Sequence, residues 1–224
     1  LGARATRIVR VERGVAVHVA LADGSEPPMA ATHVICAVPP RLLAETIAFD
    51  PAPEAATLTL WRGTPTWMAP HAKFVALYGR PFWRDVGLSG TAQSQAGPLV
   101  EIHDATTAGG KAALFGFVGV PALQRMRAGR GAVVAAGIVQ LGRLFGPEAL
   151  RPQATLYHDW AADALTATRL DQSAGDHPGG GRRDWSGAVW QDRLWLAGSE
   201  TAADDPGYLA GAIEAGERAA AALI

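Results

Sequence analysis

The sequence predicts an α+β fold, and three observations lead to that prediction. Between residues 41 and 157, apolar strand-like runs and a long helical pattern follow one another without regular βαβ alternation. The last thirty residues contain a short buried strand, a turn and a helix faced with small residues. Hydrophobic residues make up 49% of the 224 positions, enough for a core in one large domain or in one and a half.

The N-terminal region is predicted to consist of strands. Apolar residues alternate over residues 8–21, and an Asp23-Gly24 turn follows them. The next strand is expected over residues 33–38. The Pro39-Pro40 pair ends that strand, because proline cannot donate a hydrogen bond to a sheet.

The central region predicts a mixed or antiparallel sheet that is packed with helices. A short helix is expected over residues 41–46, and a long one over Arg130–Phe145, where Gly146-Pro147 ends it. The expected strands are Lys73–Tyr78, Leu99–His103 and Ala113–Val120. Residues 171–187 contain three consecutive glycines and two arginines and predict a loop.

The C-terminal region predicts a strand and a helix joined by a tight turn. Gly198 ends the apolar run Leu194–Ala197 at a point where a side chain would obstruct a ligand. Asp204 or Asp205 can cap the helix, with Pro206 in its first position. The helix has one apolar face and one thin face, formed by Leu209, Ala212, Ile213 and Gly216 and by Gly211, Ala215 and Ala219. Such a helix can lie close to a flat ring and offer its N-terminus to a carbonyl or anion, but the pattern alone favours plain packing on a sheet.

Charge and cysteine content exclude several classes of protein. The net charge is −1 and basic residues do not cluster, which argues against a nucleic-acid partner. Cys36 is the single cysteine, so a disulfide framework and a thiolate metal site are not expected. His177 has no second ligand at metal-binding spacing, and we interpret it as a loop residue and expect no metal. Since no run of about 18 apolar residues occurs, we expect a cytoplasmic protein without a membrane segment.

Four segments carry a resemblance to a known family. Ala197-Gly-Ser-Glu-Thr-Ala202, followed by residues 207–220, resembles the closing segment of flavin-dependent amine oxidases of the monoamine oxidase and L-amino acid oxidase type. The other segments agree with the family in order, namely His33–Pro40, Lys73 with Pro81-Phe82-Trp83, and Asp159-Trp160 with Asp163. The Gly-x-Gly-x-x-Gly motif that opens such enzymes is absent, because Gly109-Gly110 and Gly179–Gly181 lack its spacing. The chain therefore resembles the C-terminal portion of such an enzyme.

The resemblance implies three regions and a noncovalent FAD. Residues 1–40 would be strands of the FAD-binding α/β domain, 41–157 the substrate-binding domain, and 158–224 the return to the FAD domain. Ala5 would lie beside the adenine, and Gly198, Ser199 and Glu200 beside the ribityl-phosphate. Backbone N–H groups around Gly207, Tyr208 and Leu209 would meet the flavin pyrimidine edge, with Ala212 behind them. Residues 168–170 lack the cysteine that binds FAD covalently in animal monoamine oxidases.

The resemblance also assigns roles to four side chains around the flavin. Lys73 would hold a water molecule against flavin N5, although a lysine at a strand end is also typical of a solvated edge charge. Trp160 would contact the flavin, although a tryptophan is also a common core residue. Tyr208 would form one wall of an aromatic cage around the amine, or else simply bury its ring. Leu170 stands where the family has the second aromatic wall.

The function implied is transfer of a hydride from an amine to FAD, with dioxygen reduced to hydrogen peroxide. The missing glycine motif implies that a companion segment or chain completes the site and that this chain alone binds FAD weakly or not at all. An inactive fragment without flavin, and a desaturase or porphyrinogen-type oxidase, are the alternatives. The amine itself, whether amino acid, polyamine or aryl-alkyl amine, and a homo-oligomeric state are left open.

Overall fold

A computed structural model describes residues 2–173 and 189–224 of the chain. It divides into two compact units: unit 1 comprises Leu1–Trp67 with Gly175–Ile224, and unit 2 comprises Met68–Ala174. The unit boundaries do not coincide with the boundaries expected at residues 40 and 157, since residues 41–67 pack into unit 1 and residues 158–173 into unit 2. The roles expected for the three regions stay predictions.

Strands and helices alternate irregularly along both units, and the α+β prediction is confirmed. The strands are β1 (Ala3–Val11), β2 (Gly14–Leu21), β3 (Pro28–Ala31), β4 (Val34–Cys36), β5 (Ala48–Asp50), β6 (Ala72–Tyr78), β7 (Ala92–Gln93), β8 (Leu99–Asp104), β9 (Ala112–Val118), β10 (Ala154–Asp159) and β11 (Leu194–Leu196). The helices are α1 (Pro40–Thr46), α2 (Ala55–Gly63), α3 (Phe82–Asp85), α4 (Ala122–Ala128), α5 (Arg130–Phe145) and α6 (Leu209–Ala221), with short 3₁₀ helices at Pro147–Leu150, Trp160–Ala162, Arg169–Gln172 and Ser199–Thr201. Among the described residues, no helix has both the length and the apolar character that crossing a membrane requires.

Unit 1 contains two small sheets around one core. The first has the order β3-β2-β1-β5, in which β1 and β5 run parallel and the other pairs antiparallel. The second pairs β11 with β4 in parallel, with Leu196 opposite Cys36. Leu43 of α1 and Trp61 of α2 are fully buried in this core, which is why residues 41–67 belong to unit 1. The expected Asp23-Gly24 turn lies between β2 and β3, a strand that its exposed sequence did not reveal.

The final helix begins later than predicted. Asp205 and Gly207 have φ angles of +47° and +82°, so the chain turns at Pro206 instead of starting the helix there. Tyr208 is the N-cap residue and makes no side-chain capping hydrogen bond, so the predicted caps Asp204 and Asp205 are wrong. The carboxylate of Glu214 instead accepts the backbone N–H groups of residues 203 and 204, at 2.8 and 3.0 Å. A contact from within the helix thus shapes the turn that precedes it.

Unit 2 is built on an antiparallel sheet covered by a helix. The strand order is β10-β6-β9-β8-β7, and each neighbouring pair is antiparallel. Phe74, Leu114 and Leu141 are buried between the sheet and α5. The side chain of Gln140 is also buried there and binds both backbone groups of Leu99, at 2.8 Å to N and 2.7 Å to O. This pairing satisfies a buried amide and fixes α5 against the start of β8.

The Pro81-Phe82-Trp83 segment leads into α3, and Trp83 is fully buried in the core of unit 2. Its indole N–H donates to Asp104 at 2.9 Å, and Arg84 and the backbone N–H of Thr106 also donate to that carboxylate. Burial alone would raise the pKa of Asp104. The hydrogen bonds from Thr106, Trp83 and Arg84 outweigh burial and lower the pKa to about 2.

We expect the Asp104→Asn variant to lose a pH-dependent part of the protein's stability. The pKa of Asp104 is lower in the folded chain than in the unfolded one, about 3.9, so its contribution is complete above pH 4 and is lost as pH falls towards 2. Urea unfolding of both proteins at several pH values between 2 and 6 measures this contribution. The wild type should be more stable near pH 6, and the difference should shrink as the pH falls. A difference that stays constant with pH would show that the Asp104 charge is not stabilised in the folded state.

Candidate functional site

The residues predicted for the site divide between the two units. Unit 2 carries Lys73, Trp160 and Leu170. Unit 1 carries Ala5, the segment Gly198–Glu200, the segment Gly207–Leu209, and Ala212.

Lys73 lies in the interior of the sheet and not at its edge. Its strand, β6, runs between β10 and β9, with Lys73 opposite His158 on one side and Phe117 on the other. The side chain is half-buried, and its Nζ atom lies 4.9 Å from the ring centre of Phe117 and 5.4 Å from those of Phe115 and Trp160. Within the described residues Lys73 has no ion pair, so its ammonium is held by the faces of three aromatic rings.

The sheet face around Lys73 is lined with half-buried side chains. Along β6 the even-numbered residues are buried, whereas Lys73, Val75 and Leu77 are only half-buried. On the same face, His103 stacks on Phe115 at 5.9 Å between ring centres and contacts Glu101 at 2.8 Å. Unit 2 therefore presents an aromatic face that also carries charged and polar groups, suited to a small organic ligand.

Trp160 opens the 3₁₀ helix that follows β10. Its backbone N–H donates to the carbonyl of His71 at 3.1 Å, and the N–H of Asp163 donates back to the Trp160 carbonyl at 3.0 Å. The His158 ring meets the indole edge to face, with 4.7 Å between ring centres. The Trp160-x-x-Asp163 spacing thus corresponds to one closed turn, and this turn places the indole beside the Lys73 ammonium.

A buried cluster behind Trp160 was not found by sequence reasoning. Arg125 of α4, with 2% of its side chain exposed, binds Asp159 through two hydrogen bonds of 2.6 and 2.7 Å. Burial lowers the pKa of Arg125, but the hydrogen bond and charge of Asp159 outweigh it and raise the pKa. Burial, reinforced by the same carboxylate, raises the pKa of Tyr157 to about 12. Arg127 and Arg130 stand close by in the sequence, and nothing in the local pattern separates Arg125 from them.

Leu170 lies in a short 3₁₀ helix with a well-formed start. Thr168 and Asp171 form a reciprocal capping box, in which the Thr168 hydroxyl accepts from the Leu170 N–H at 3.2 Å. The Leu170 side chain is 53% exposed. Its place opposite Tyr208 stays a prediction.

In unit 1, the segment after β11 is tightly packed. A Cβ atom on Gly198 would lie 2.8 Å from the carbonyl oxygen of Val38, so only glycine fits without a backbone shift. The Thr201 hydroxyl donates to the Gly198 carbonyl at 2.7 Å, and Glu200 is buried. Arg218 of α6 donates to the carbonyls of Thr201 and Leu196, at 2.8 and 2.9 Å. These two hydrogen bonds hold α6 against the segment Gly198–Glu200, which is predicted to contact the cofactor.

The exposed face of α6 is its apolar one. Leu209 is 87% and Ile213 is 64% exposed, whereas Gly211, Ala215 and Ala219 are buried. The helix therefore packs through its thin face and leaves its larger side chains uncovered in the described structure. An exposed apolar patch of this kind is typical of a surface that binds a ligand or another protein surface.

Tyr208 precedes this helix and is 46% exposed. Its ring packs on Trp67, with 4.9 Å between ring centres and an angle of 60°. Gly207 donates its backbone N–H to the Ser199 carbonyl at 3.2 Å, which brings the two predicted cofactor segments of unit 1 together. Trp67 was not predicted as a site residue, because its contact with Tyr208 spans 141 positions of sequence.

The remaining predictions for the site concern Ala5, metals and cysteine chemistry. Ala5 is half-buried in β1, opposite Val19 and next to a bulge. In residues 2–173 and 189–224, no group of three or more His, Cys, Asp or Glu side chains could hold a metal ion. His177 lies outside these residues. Burial raises the pKa of the Cys36 thiol to about 12, which makes it a poor nucleophile.

Comparisons with known proteins agree on one family. A family model described as flavin containing amine oxidoreductase matches residues 1–224. AofH of Mycobacterium tuberculosis, named as a flavin-containing monoamine oxidase, is 31% identical over an alignment of 238 positions that covers 99% of this chain and 46% of that protein. A Dictyostelium discoideum protein named as flavin-containing monoamine oxidase A is 27% identical over 199 residues, covering 83% of this chain and 40% of its own length.

Solved structures give the same result. Putrescine oxidase bound to putrescine matches with a TM-score of 0.74 and 25% identity, over 99% of this chain and 48% of its own. Cyclohexylamine oxidase from Brevibacterium oxydans matches with a TM-score of 0.77 and 25% identity, over 98% and 47%. The chain thus spans less than half the length of each of these proteins.

The close packing at the start of α6 predicts opposite effects for two glycines of this helix. A Cβ atom on Gly211 would lie 2.2 Å from the Asp205 carbonyl oxygen, whereas one on Gly216 would meet nothing within 4 Å. We expect Gly211→Ala to lower the free energy of unfolding by about 1–3 kcal/mol. Gly216→Ala, the matched control, should leave it unchanged or raise it by about 0.5–1 kcal/mol. Urea unfolding measures both, and equal effects would mean that α6 does not pack closely on the preceding turn.

Proposed function

The chain belongs to the flavin-containing amine oxidoreductase family, and we propose that it is the C-terminal part of an FAD-dependent amine oxidase. The observation that carries the proposal is the Lys73 ammonium, held by three aromatic rings on an open sheet face. The family match over residues 1–224 favours an amine substrate over the carbon skeleton of a desaturase or porphyrinogen-type oxidase.

The residues present fit a flavin cofactor. Within the described part of the chain, the N-terminus of α6 has no side-chain cap, so its first-turn N–H groups are available to the carbonyl oxygens of a ring. The exposed apolar side chains of Leu209 and Ile213 adjoin these donors, and such a combination suits a flat heterocycle with a polar edge. When bound, the flavin accepts a hydride from the carbon bearing the amine, and dioxygen takes up the electrons to give hydrogen peroxide.

We assign the parts of FAD to this chain as follows. Ala5 adjoins the adenine, and Gly198, Ser199 and Glu200 adjoin the ribityl-phosphate. The pyrimidine edge lies against Gly207, Tyr208 and Leu209, with Ala212 behind. The Gly207 and Tyr208 N–H groups already donate to the Ser199 and Asp205 carbonyls, so the donors to the ring are the N–H groups that begin at Leu209. Trp160, which belongs to unit 2, contacts the flavin ring system. The flavin is held without a covalent bond, since residues 168–170 contain no cysteine.

Lys73 is proposed to act in the oxygen half of the reaction. An ammonium on aromatic faces and without a carboxylate partner in the described residues keeps its charge unneutralised, so it can stabilise negative charge that develops nearby. It can also hold a water molecule and orient it. Such a group lowers the barrier only for the step in which the charge appears.

Tyr208 is proposed to form one wall of the substrate cage, with Leu170 as the opposite wall. Its ring is supported from one side by Trp67, so its direction is fixed although the side chain is half exposed. An aliphatic residue at position 170 leaves one aromatic face for the amine. The structural relatives named for putrescine and cyclohexylamine support small amines as the substrate class.

The chain alone is proposed to be inactive. The relatives are more than twice as long as the region that they share with it, and the glycine-rich motif that would hold the FAD phosphates is not in this sequence. A companion segment or chain completes the cofactor site in this proposal. A cytoplasmic location is also proposed, on the basis of a single cysteine that is buried as a free thiol.

The Lys73→Met variant tests the proposed function in the complete flavin-loaded enzyme. We expect reoxidation of the reduced flavin by dioxygen to slow by about a hundredfold, because the positive charge is lost where charge develops. Anaerobic reduction by amine should change much less. Rapid-mixing absorbance measurements separate the two half-reactions.

Lys111→Met is the matched control, because Lys111 is the other lysine of the chain and lies exposed in the turn between β8 and β9. It should leave both half-reactions unchanged. If Lys73→Met also leaves both unchanged, the lysine has no part in the reaction.

The Tyr208→Leu variant separates the cage from simple packing. The substitution keeps much of the apolar bulk but removes the π face, so turnover of amine should fall. Stability should change little, because Tyr208 is half exposed. Steady-state kinetics and melting temperature of this one variant decide the matter. A destabilised protein with unchanged kcat/KM would mean that Tyr208 only packs on Trp67.

A further inference from the structure

Arg125 makes more contacts than an ion pair requires. Its Nε and one terminal nitrogen bind the two carboxylate oxygens of Asp159, at 2.7 and 2.6 Å. The terminal nitrogen that binds Oδ1 also donates to the Pro70 carbonyl at 2.9 Å, and the other donates to the Val120 carbonyl at 2.5 Å. A single buried guanidinium therefore joins three separate segments of unit 2.

These three segments are the ends of three adjacent strands. Pro70 lies just before β6, Val120 lies just after β9, and Asp159 is the last residue of β10. Because β6 runs antiparallel to both neighbours, all three residues lie at the same end of these strands. The same strand ends carry the side chains around the Lys73 ammonium: Lys73 itself on β6, Phe117 on β9, and Trp160 directly after β10.

Asp159 links Arg125 to the 3₁₀ helix that begins at Trp160. One of its carboxylate oxygens accepts the backbone N–H of Ala161 at 3.2 Å and so caps the 3₁₀ helix that Trp160 opens. The Trp160 N–H binds the His71 carbonyl, one residue after the Pro70 carbonyl that Arg125 holds. The Arg125 guanidinium thus fixes Trp160 through Asp159, which caps the 3₁₀ helix. It fixes β6, the strand of Lys73, through the Pro70 carbonyl that precedes the strand.

A buried ion pair contributes little net stability, because the cost of desolvating both charges offsets their attraction. The more specific effect of Arg125 is on geometry, because it sets the positions of the groups that it binds. Arginine has five donors in a rigid plane, whereas a lysine ammonium could not reach a carboxylate and two carbonyl groups with the same spacing.

We propose that Arg125 is a positioning residue that holds the Lys73 ammonium against the Phe117 and Trp160 rings. All the contacts that set this geometry lie within this chain. The consequence of this geometry for turnover rests on the proposed function of Lys73.

The chain offers a direct signal for this geometry. It contains two lysines: Lys73 lies over three aromatic rings, whereas Lys111 is exposed and lies over no aromatic ring of the described residues. In the full 224-residue chain labelled with ¹³C at the lysine ε-carbon, ring currents should shift the Lys73 ε-CH₂ protons upfield of those of Lys111. The upfield shift measures how closely the ammonium sits on the rings.

We expect Arg125→Lys to reduce the upfield shift of Lys73 and to leave the Lys111 signal unchanged. Asp159→Asn should do the same, because it keeps an oxygen for the Ala161 N–H but turns an amide towards the guanidinium. It is the more conservative variant and decides the result if Arg125→Lys does not fold. Arg127→Lys, on the same helix but exposed, should change neither signal. An unchanged Lys73 signal in a folded Arg125→Lys or Asp159→Asn protein would overturn the proposal.

A kinetic measurement on the complete enzyme tests the consequence. Arg125→Lys should slow flavin reoxidation by about tenfold to a hundredfold, as expected when a charged group is misplaced. In a Lys73→Met background it should slow reoxidation no further, since Arg125 acts through Lys73. If Arg125→Lys slows reoxidation further in the Lys73→Met background, Arg125 does not act through Lys73. If the complete enzyme oxidises no amine, the proposed function fails, and the lysine signal still decides the role of Arg125.

Discussion

The two-residue alternation of side chains along β6 is the constraint on which unit 2 depends. Phe74, Ala76 and Tyr78 face the helix-covered core, so Lys73 and Val75 must face the other way. A shift of one residue in register would bury the ammonium and expose Phe74. The burial of Phe74 against α5 and the contact of Lys73 with three rings are therefore two results of the same pairing with β9 and β10.

In unit 1, the final helix α6 buries its small residues and exposes its large apolar ones. Glycine and alanine of α6 make the contacts with the rest of the unit, while the larger Leu209 and Ile213 side chains are left exposed. A helix that served only to cover a sheet would turn its large apolar residues inward, because burying them contributes most to stability. The reversed arrangement of α6 supports a binding role for its outer face. Arg218 and Glu214 hold this helix to the preceding segments through backbone groups, which leaves the outer face free of their charges.

The sequence predicted those elements whose signals are local. The strand Lys73–Tyr78 was predicted to within one residue because its apolar residues have the period of a strand, and α5 was predicted with its bounds because Gly146-Pro147 ends it. The start of α6 was wrong, because positive φ angles at Asp205 and Gly207 and the contact from Glu214 are not visible in a local pattern. The resemblance supplied Lys73, Trp160 and Tyr208 as candidates. The rings around Lys73, the support of Tyr208 by Trp67 and the contacts of Arg125 depend on chain segments far apart in sequence, so no spacing could reveal them.

Our proposal assigns flavin contacts to both units: to the Lys73 ammonium in unit 2 and to the first-turn N–H groups of α6 in unit 1. The most direct measurement is an experimental structure of the complete, flavin-loaded protein. We expect the Lys73 Nζ atom to lie within one water molecule of flavin N5 and the first-turn N–H groups of α6 to contact the pyrimidine edge of the ring. A flavin bound elsewhere, or an α6 N-terminus that contacts only protein, would contradict the proposal.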